Sequence, residues 1–263
     1  MEQTVNSDRT SAFSENLPPS MWNNSTKFPL NIKLGSNLID SEKDAISNAA
    51  TSWSNSTNHI TDFFNLSDSD IEKKSNLSSY KDAEFGIYKL YEWPSSLPQS
   101  ALAVTQIYGT KRNTGSSKEY IEINHADILI NFDYFSFSTD DSWGYDLQTV
   151  ILHELGHFIG LYHNNISSEY SVMYPTISRY SINRTPASFD IEEVENKYQS
   201  NKYLNESSAQ NRALINENAT SLSTQEEDLE DITIIFELYP NNKERTIIKR
   251  GDKNEIINVH NHH

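Results

Sequence analysis

Apolar and polar residues alternate over 28–34 (FPLNIKL), which is the pattern of a β-strand with one buried face. Three longer stretches are rich in β-branched and aromatic residues and also predict strands: 85–93, 101–109 and 120–132. No segment of the sequence repeats another, so the first half of the chain predicts one sheet rather than an array of repeats.

Helical periodicity replaces the strand pattern in three segments. After Asp40, apolar residues recur at helical spacing, and Ser41 followed by Asp44 resembles a capping box. Residues 146–160 predict a second helix that Gly160 ends, and 188–198 predict a third. The apolar stripe of the first helix contains Ala45, Ile46, Ala49, Ala50 and Trp53.

Both ends of the chain lack these patterns. Residues 1–27 are rich in Asn, Ser, Thr and Pro and predict a flexible segment or the remnant of a pro-segment. Residues 201–263 are a polar extension, with a possible β-hairpin at 232–250. We therefore expect 28–200 to fold as one domain without the extension.

Composition narrows the classes of function. The formal net charge is −16, and such a charge disfavours binding to nucleic acid or anionic membranes, which require clustered Lys and Arg. Cysteine is absent, so no disulfide forms and no thiolate can bind a metal. No apolar run reaches the roughly 18 residues that suggest a membrane span.

The segment HELGHFIGLYH, residues 153–163, carries the chemistry. His153 and His157 are four residues apart, so a helix presents both imidazoles on one face as ligands of one metal ion. Gly160 permits a sharp turn that brings His163 back as a third ligand. Three imidazoles leave a coordination position for water, as in catalytic zinc sites, and Glu154 can act on that water as general base.

The alternative for this segment is a helix that carries histidines on its surface. Its other residues are mostly apolar, however, so the histidines belong to a half-buried helix. A buried neutral imidazole needs a partner, and a zinc ion is the simplest one for all three.

The segment resembles the zinc-binding signature of the metzincin peptidases, and within them the matrixin family. SVMYP, residues 171–175, is similar to the turn whose methionine, here Met173, ten residues after His163, lies beneath the metal in that family. HADILINF resembles the strand that runs along the substrate cleft in that family, and SFDIEEVENKY resembles the terminal helix. The resemblance covers roughly 28–200 and is strongest over 120–198.

The resemblance implies an α+β, zincin-like fold: a twisted mixed sheet, a long active-site helix, a backing helix and a C-terminal helix. It implies a zinc-dependent endopeptidase that hydrolyses internal peptide bonds of proteins through a zinc-bound water activated by Glu154. An extended substrate is expected to pair with an edge strand around 124–132.

The resemblance also suggests a substrate pocket beside the zinc. Thr149 lies one helical turn before His153, and Tyr174, Pro175, Thr176 and Ile177 would form the outer wall. Such an open apolar pocket favours cleavage before medium or large apolar residues such as Leu. The alternative is that Thr149 packs in a helix interface and another residue sets the depth of the pocket.

Some family features have no counterpart in the sequence. There is no His-Gly-Asp loop after the cleft strand, so we expect a single catalytic zinc without a second, structural one. Calcium could be bound by carboxylates at Asp133, Asp140, Asp141 and Asp146, although such residues more often cap turns. A cysteine-based latency is impossible, which leaves Asp8 and Glu15 as candidates to block the zinc.

Two other classes of protein remain open. One is a pseudopeptidase that binds partners through an idle cleft, against which the presence of Glu154 argues. The other is a structural zinc or adhesin-like surface module, which stays open for residues 201–263. For an active endopeptidase we expect a secreted or cell-surface monomer whose signal peptide has been removed, because an unrestrained peptidase would harm its own cell.

Overall fold

The computed structural model describes residues 17–22, 26, 28–57, 61–140, 143–164, 171–198, 230–240, 243–250 and 253–261. Its helices are α1 (Asp40–Ser56), α2 (Leu147–Phe158) and α3 (Ser188–Tyr198). The strands up to α2 are β1 (Ser20–Trp22), β2 (Leu30–Gly35), β3 (Phe64–Ile71), β4 (Phe85–Leu90), β5 (Ala103–Arg112), β6 (Tyr120–Asn131), β7 (Phe137–Ser138) and β8 (Tyr145–Asp146). Those after α2 are β9 (Thr176–Ile177), β10 (Asp231–Pro240), β11 (Lys243–Arg250) and β12 (Lys253–Asn261).

One mixed sheet has the strand order β12-β11-β10-β5-β6-β4-β2-β3, with β1 beside β6 and β9 beside β10. The strands from β6 to β3 are parallel, whereas β5 is antiparallel to both β6 and β10. The expected edge strand around 124–132 is therefore wrong, because β6 pairs with β5 on one side and with β4 on the other. Every residue of β6 except Asn124 is buried, as expected of an interior strand that is covered on both faces.

Helices α1 and α2 pack against each other over this sheet. The predicted stripe of α1 is buried, and Trp53 donates its indole N–H to the carbonyl of Leu152 at 2.9 Å. Trp53, Leu152 and Met173 belong to the largest apolar cluster. The backing helix thus holds the active-site helix by apolar packing and one buried hydrogen bond.

The start of α1 differs from the predicted capping box. Ser41 and Asp44 are exposed, whereas the carboxylate of Glu42 accepts a hydrogen bond from the backbone N–H of Ile39 at 3.0 Å. The N-cap is Ile39, so the helix begins two residues earlier than that box requires, and Glu42 also forms a buried ion pair with Lys89 at 2.7 Å. This tertiary ion pair explains why Glu42 takes the capping position.

Parts of both terminal segments belong to the sheet. Within 1–27, the strand β1 is buried and pairs with β6. In the C-terminal extension, β10 and β11 pair antiparallel over 232–250, and β10 also pairs with β5 from Asp231 to Leu238. This hairpin is continuous with the catalytic sheet, and the boundary at residue 200 stays a prediction for truncation to test.

The architecture is the predicted α+β fold, a mixed sheet with an active-site helix, a backing helix and a C-terminal helix. Within the described residues, no helix is long and apolar enough to span a membrane.

Candidate active site

Helix α2 is fixed at both ends. Asp146 caps its N-terminus, where the carboxylate accepts from the backbone N–H of Thr149 at 2.7 Å. Gly160 follows its C-terminus with φ of +89°, and a Cβ there would lie 2.2 Å from the carbonyl oxygen of Ser20. Only glycine satisfies both the positive φ and this close approach, so the turn toward His163 depends on it.

The three predicted ligands, His153, His157 and His163, come together as one buried cluster, with ligand atoms within 4.8 Å of one another. The Nδ1 of His153 donates to the carbonyl of Val172, and the Nδ1 of His157 donates to that of Leu161, each at 2.7 Å. Because a carbonyl oxygen can only accept, these bonds place the proton on Nδ1 in both rings.

The two remaining Nε2 atoms of His153 and His157 face each other at 3.0 Å. Each carries a lone pair, and two acceptors at this distance require a shared cation or proton. Burial, reinforced by the neighbouring histidines, holds the pKa of both rings well below the ordinary value, which favours the neutral, metal-binding form. A zinc ion therefore fits the donor set.

Glu154 is fully buried beside this cluster. Its Oε2 accepts from the hydroxyl of Thr105 on β5 at 2.5 Å, while Oε1 has no hydrogen-bond partner among the described residues. Burial raises the pKa of Glu154 to about 8, and the bond from Thr105 opposes that rise. The carboxyl thus has one oxygen held in place and one available.

Met173 lies beneath α2, where a Cβ on Gly156 would be 2.3 Å from its sulfur. Asp190 of α3 holds the turn that contains Met173: its carboxylate accepts from the Ser171 hydroxyl at 2.7 Å and from Val172 N–H at 3.0 Å. The sequence analysis missed Asp190 and Thr105, because each acts across a long stretch of chain and neither belongs to a local motif.

The predicted pocket residues lie close together but have different roles. Thr149 is buried, donates its hydroxyl to Asp146 at 2.5 Å and accepts from the backbone N–H of Asn183 at 2.9 Å. These bonds join Thr149 to the cap of its own helix and to a loop residue, and both alternatives for Thr149 stay open. Ile177 belongs to an apolar cluster, and Pro175 is buried and Tyr174 half-buried. The pocket assignment stays a prediction.

The apolar cluster that includes Ile177 has a member from the C-terminal extension. It consists of Leu102, Ala103, Tyr145, Val150, Ile177 and Leu238. Two residues before Leu238, the ring of Phe236 stacks on the imidazole of His157 with centroids 4.0 Å apart. The apolar run of β10 was visible in the sequence, but its position at the histidines was not.

The predicted calcium ligands have other partners. Asp133 accepts from Trp93 N–H at 3.0 Å, Asp140 accepts from the Ser138 hydroxyl at 3.1 Å, and Asp146 pairs with Arg184. Asp141, Asp8 and Glu15 lie outside the described residues. Calcium stays a prediction without support from these contacts.

The fold and the histidine cluster define a metallopeptidase of the zincin type. Residues 98–199, which contain the histidine cluster, match the family model described as Matrixin, and this match supports a matrixin-like metzincin. None of the curated proteins compared with the chain matches it.

Proposed function

We propose that this protein is a zinc-dependent endopeptidase that hydrolyses internal peptide bonds of protein substrates. The observation that carries the proposal is the pair of Nε2 atoms of His153 and His157, which face each other at 3.0 Å beside Glu154. Bound by the three imidazoles, zinc would polarise the scissile carbonyl and acidify a water molecule.

The residues of the chain supply the proton transfers. Glu154 accepts the proton of the attacking water at Oε1 and later delivers it to the leaving amine. Thr105 holds Oε2 at 2.5 Å and so fixes the direction of the other oxygen. The carbonyls of Val172 and Leu161 hold the tautomers of His153 and His157.

The apolar cluster around Val150 and Ile177 supports a pocket for a medium or large apolar side chain of the substrate. We propose that Thr149, Tyr174 and Pro175 contribute to its wall, as the family resemblance suggests. Thr149→Arg should then shift cleavage toward smaller residues, whereas a role of Thr149 in the helix cap alone would lower stability and leave the cleavage sites unchanged.

A peptidase of this kind would act outside the cell that makes it, and we propose a secreted or cell-surface location. The proposal follows from the activity, because an active endopeptidase inside the cell would cleave the proteins of that cell. Fractionation of the producing cells would test it, and retention of all the protein inside the cells would contradict it.

Cleavage mapping tests the main proposal. The purified chain is incubated with a denatured protein, with a zinc chelator, and with zinc restored after chelation. We expect internal cleavage that stops with chelation, returns with zinc, and occurs before apolar residues. Cleavage only at chain ends, or cleavage that continues without zinc, would refute it.

A further inference from the structure

The C-terminal strand β10 lies in the groove next to the histidine cluster. On one side it is antiparallel to β5, with Phe236 opposite Thr105 and Leu238 opposite Ala103. On the other side it pairs with β11 from Ile232 to Glu237 and then runs parallel to β9, where Tyr239 pairs with Thr176. An extended chain bound between two strands in this way has the arrangement of a peptide captured by β-augmentation.

The position of β10 along the groove places two of its side chains on the site. Phe236 stacks on His157, and its centroid lies 5.5 Å from the ring of Tyr162 and 5.9 Å from that of His163. Leu238 is fully buried in the apolar cluster with Val150 and Ile177. The strand thus fills both the space over the metal ligands and the candidate substrate pocket.

Burial of the site is the consequence. His153, Glu154 and His157 have 0% exposure and His163 has 7%. A hydrolytic site must admit a substrate, and the groove through which a peptide would reach these residues contains β10. We infer that β10 is an intramolecular occupant of the substrate groove, which keeps the site closed until the strand leaves.

The inference rests on the proposed function in one respect, because it takes the groove to be the site of an extended peptide substrate. It also specifies that substrate by chemistry. The groove accepts an extended segment with large apolar side chains two residues apart, as Phe236 and Leu238 are.

Competition with a synthetic peptide tests the inference in the full chain. The probe is a fluorescein-labelled peptide with the sequence of residues 231–240. Binding is measured by anisotropy with Glu154→Gln present throughout, so that the probe is not hydrolysed. Leu238→Asp places a carboxylate in the apolar pocket and should release β10 from the groove. We expect Leu238→Asp to raise the affinity for the probe at least about tenfold over the chain that retains Leu238. The reason is that the state in which β10 has left the groove becomes more populated.

Thr233→Asp is the matched control. Thr233 is on the same strand, half-buried and opposite Lys249 of β11, away from the pocket. It should change probe affinity little. If Leu238→Asp does not change the affinity for the probe, the inference is overturned. It is also overturned if Thr233→Asp raises the affinity for the probe as much as Leu238→Asp does. Circular dichroism checks that each variant is folded. If Leu238→Asp does not fold, Leu238→Ala replaces it and should raise the affinity for the probe by a smaller factor. No increase with Leu238→Ala would then overturn the inference.

A reversible tether gives an independent readout. The Thr110 hydroxyl and the Asp231 carboxylate are 3.3 Å apart across β5 and β10, and the chain has no cysteine of its own. Thr110→Cys with Asp231→Cys, added to Leu238→Asp, allows a disulfide to hold the strand. Oxidation should remove the gain in probe affinity and reduction should restore it; no difference between the two states would contradict the inference.

Cleavage assays with Glu154 restored separate the inference from the proposed function. If Leu238→Asp and the parent cleave denatured protein equally fast, the inference fails and the function stands. If probe binding follows the expectation but neither chain cleaves, the function fails and the occupied groove stands. Intact mass is recorded for each sample, because cleavage within β10 would open the site without a substitution.

Discussion

At the scale of single residues, the histidine cluster depends on hydrogen bonds that select one tautomer of each ring. Val172 and Leu161 contribute only backbone carbonyls, which accept from His153 and His157 at 2.7 Å. A side-chain substitution at either carbonyl position leaves the acceptor in place. Loss of an imidazole, in contrast, removes a donor atom that no neighbour can replace.

Zinc binding should therefore be lost when His157 is replaced, and it should be kept when a buried histidine outside the cluster is replaced. His157→Ala should reduce bound zinc from about one ion per chain to nearly none and lower the melting temperature, because metal binding is coupled to folding. His125→Ala is the control, since His125 is buried and pairs with Asp127 on another part of the sheet. Elemental analysis after gel filtration gives the ratio; full zinc in His157→Ala would refute the ligand assignment.

Glu154 allows a prediction about rate without loss of metal. Glu154→Gln keeps the shape and the contact with Thr105 but cannot take a proton from water. We expect zinc and melting temperature to stay near those of the parent while the cleavage rate falls about 10²–10⁴-fold. Initial rates on a denatured protein measure this, and turnover at the parental rate would exclude Glu154 as the base.

At the scale of elements, α2 is held by side chains from distant parts of the chain. Three successive carbonyls at its C-terminal end and just beyond it accept hydrogen bonds: that of Phe158 from the indole of Trp22 at 2.8 Å, that of Ile159 from the hydroxyl of Tyr198 at 2.7 Å, and that of Gly160 from the hydroxyl of Ser20 at 3.0 Å. These bonds satisfy the carbonyls that a helix end leaves free. The direction of the active-site helix is thus set by β1 and α3 together.

The N-terminal cap of α2 gives an element-scale prediction. Asp146→Ala removes the acceptor for Thr149 N–H and the partner of Arg184. Loss of an N-cap side chain costs about 0.5–2 kcal/mol, a figure that includes the unsatisfied N–H of Thr149. We expect a lower free energy of unfolding and weaker zinc binding, because His153 and His157 are on this helix.

The matched control for this prediction is Asn76→Ala, which removes the cap of the short 3₁₀ helix Leu77–Tyr80, whose cap bonds involve none of His153, His157 and His163. It should lower stability modestly and leave zinc affinity unchanged. Denaturant unfolding and competitive zinc titration measure the two effects. If both substitutions weaken zinc binding to the same extent, the cap of α2 has no specific role in the site.

At the scale of the whole molecule, the sheet continues past the catalytic segment through β10. The side chains of Ile232, Ile234, Phe236 and Leu238 are all buried against that segment or its helices. Each contributes about 1.5–3 kcal/mol as an upper estimate. The extension therefore takes part in the stability of the sheet as well as in the access to the site.

Truncation measures this contribution. The sequence alone suggested that 28–200 fold alone, whereas the pairing of β10 with β5 leads us to expect a lower melting temperature after truncation at Ser200. Truncation after Arg250 is the control, because it removes β12 and keeps β10 and β11 in the sheet. If the chain that ends at Ser200 has the same melting temperature as the parent, the boundary expected from the sequence is supported.

The sequence by itself determined the features that depend on near neighbours. Local periodicity predicts the buried stripe of α1 and the strands β4 to β6. The spacing of the histidines predicts that His153, His157 and His163 lie together, and the turn between them requires a glycine at position 160. The predicted elements and the clustering of the three histidines were confirmed because short-range sterics and hydrogen bonding dominate there, whereas their role as metal ligands stays a prediction. The capping box of α1 failed because the buried partner of Glu42, Lys89, is distant in sequence.

Only the tertiary structure decided which strands are neighbours. Pairing register and sheet order depend on contacts between residues far apart in the chain. The sequence of an apolar run does not indicate which strand it pairs with. For this reason the sequence placed the cleft beside residues 124–132, whereas the structure puts β5 next to Glu154. For the same reason a run such as ITIIFELY could be recognised as a strand, while its place over the histidines could not.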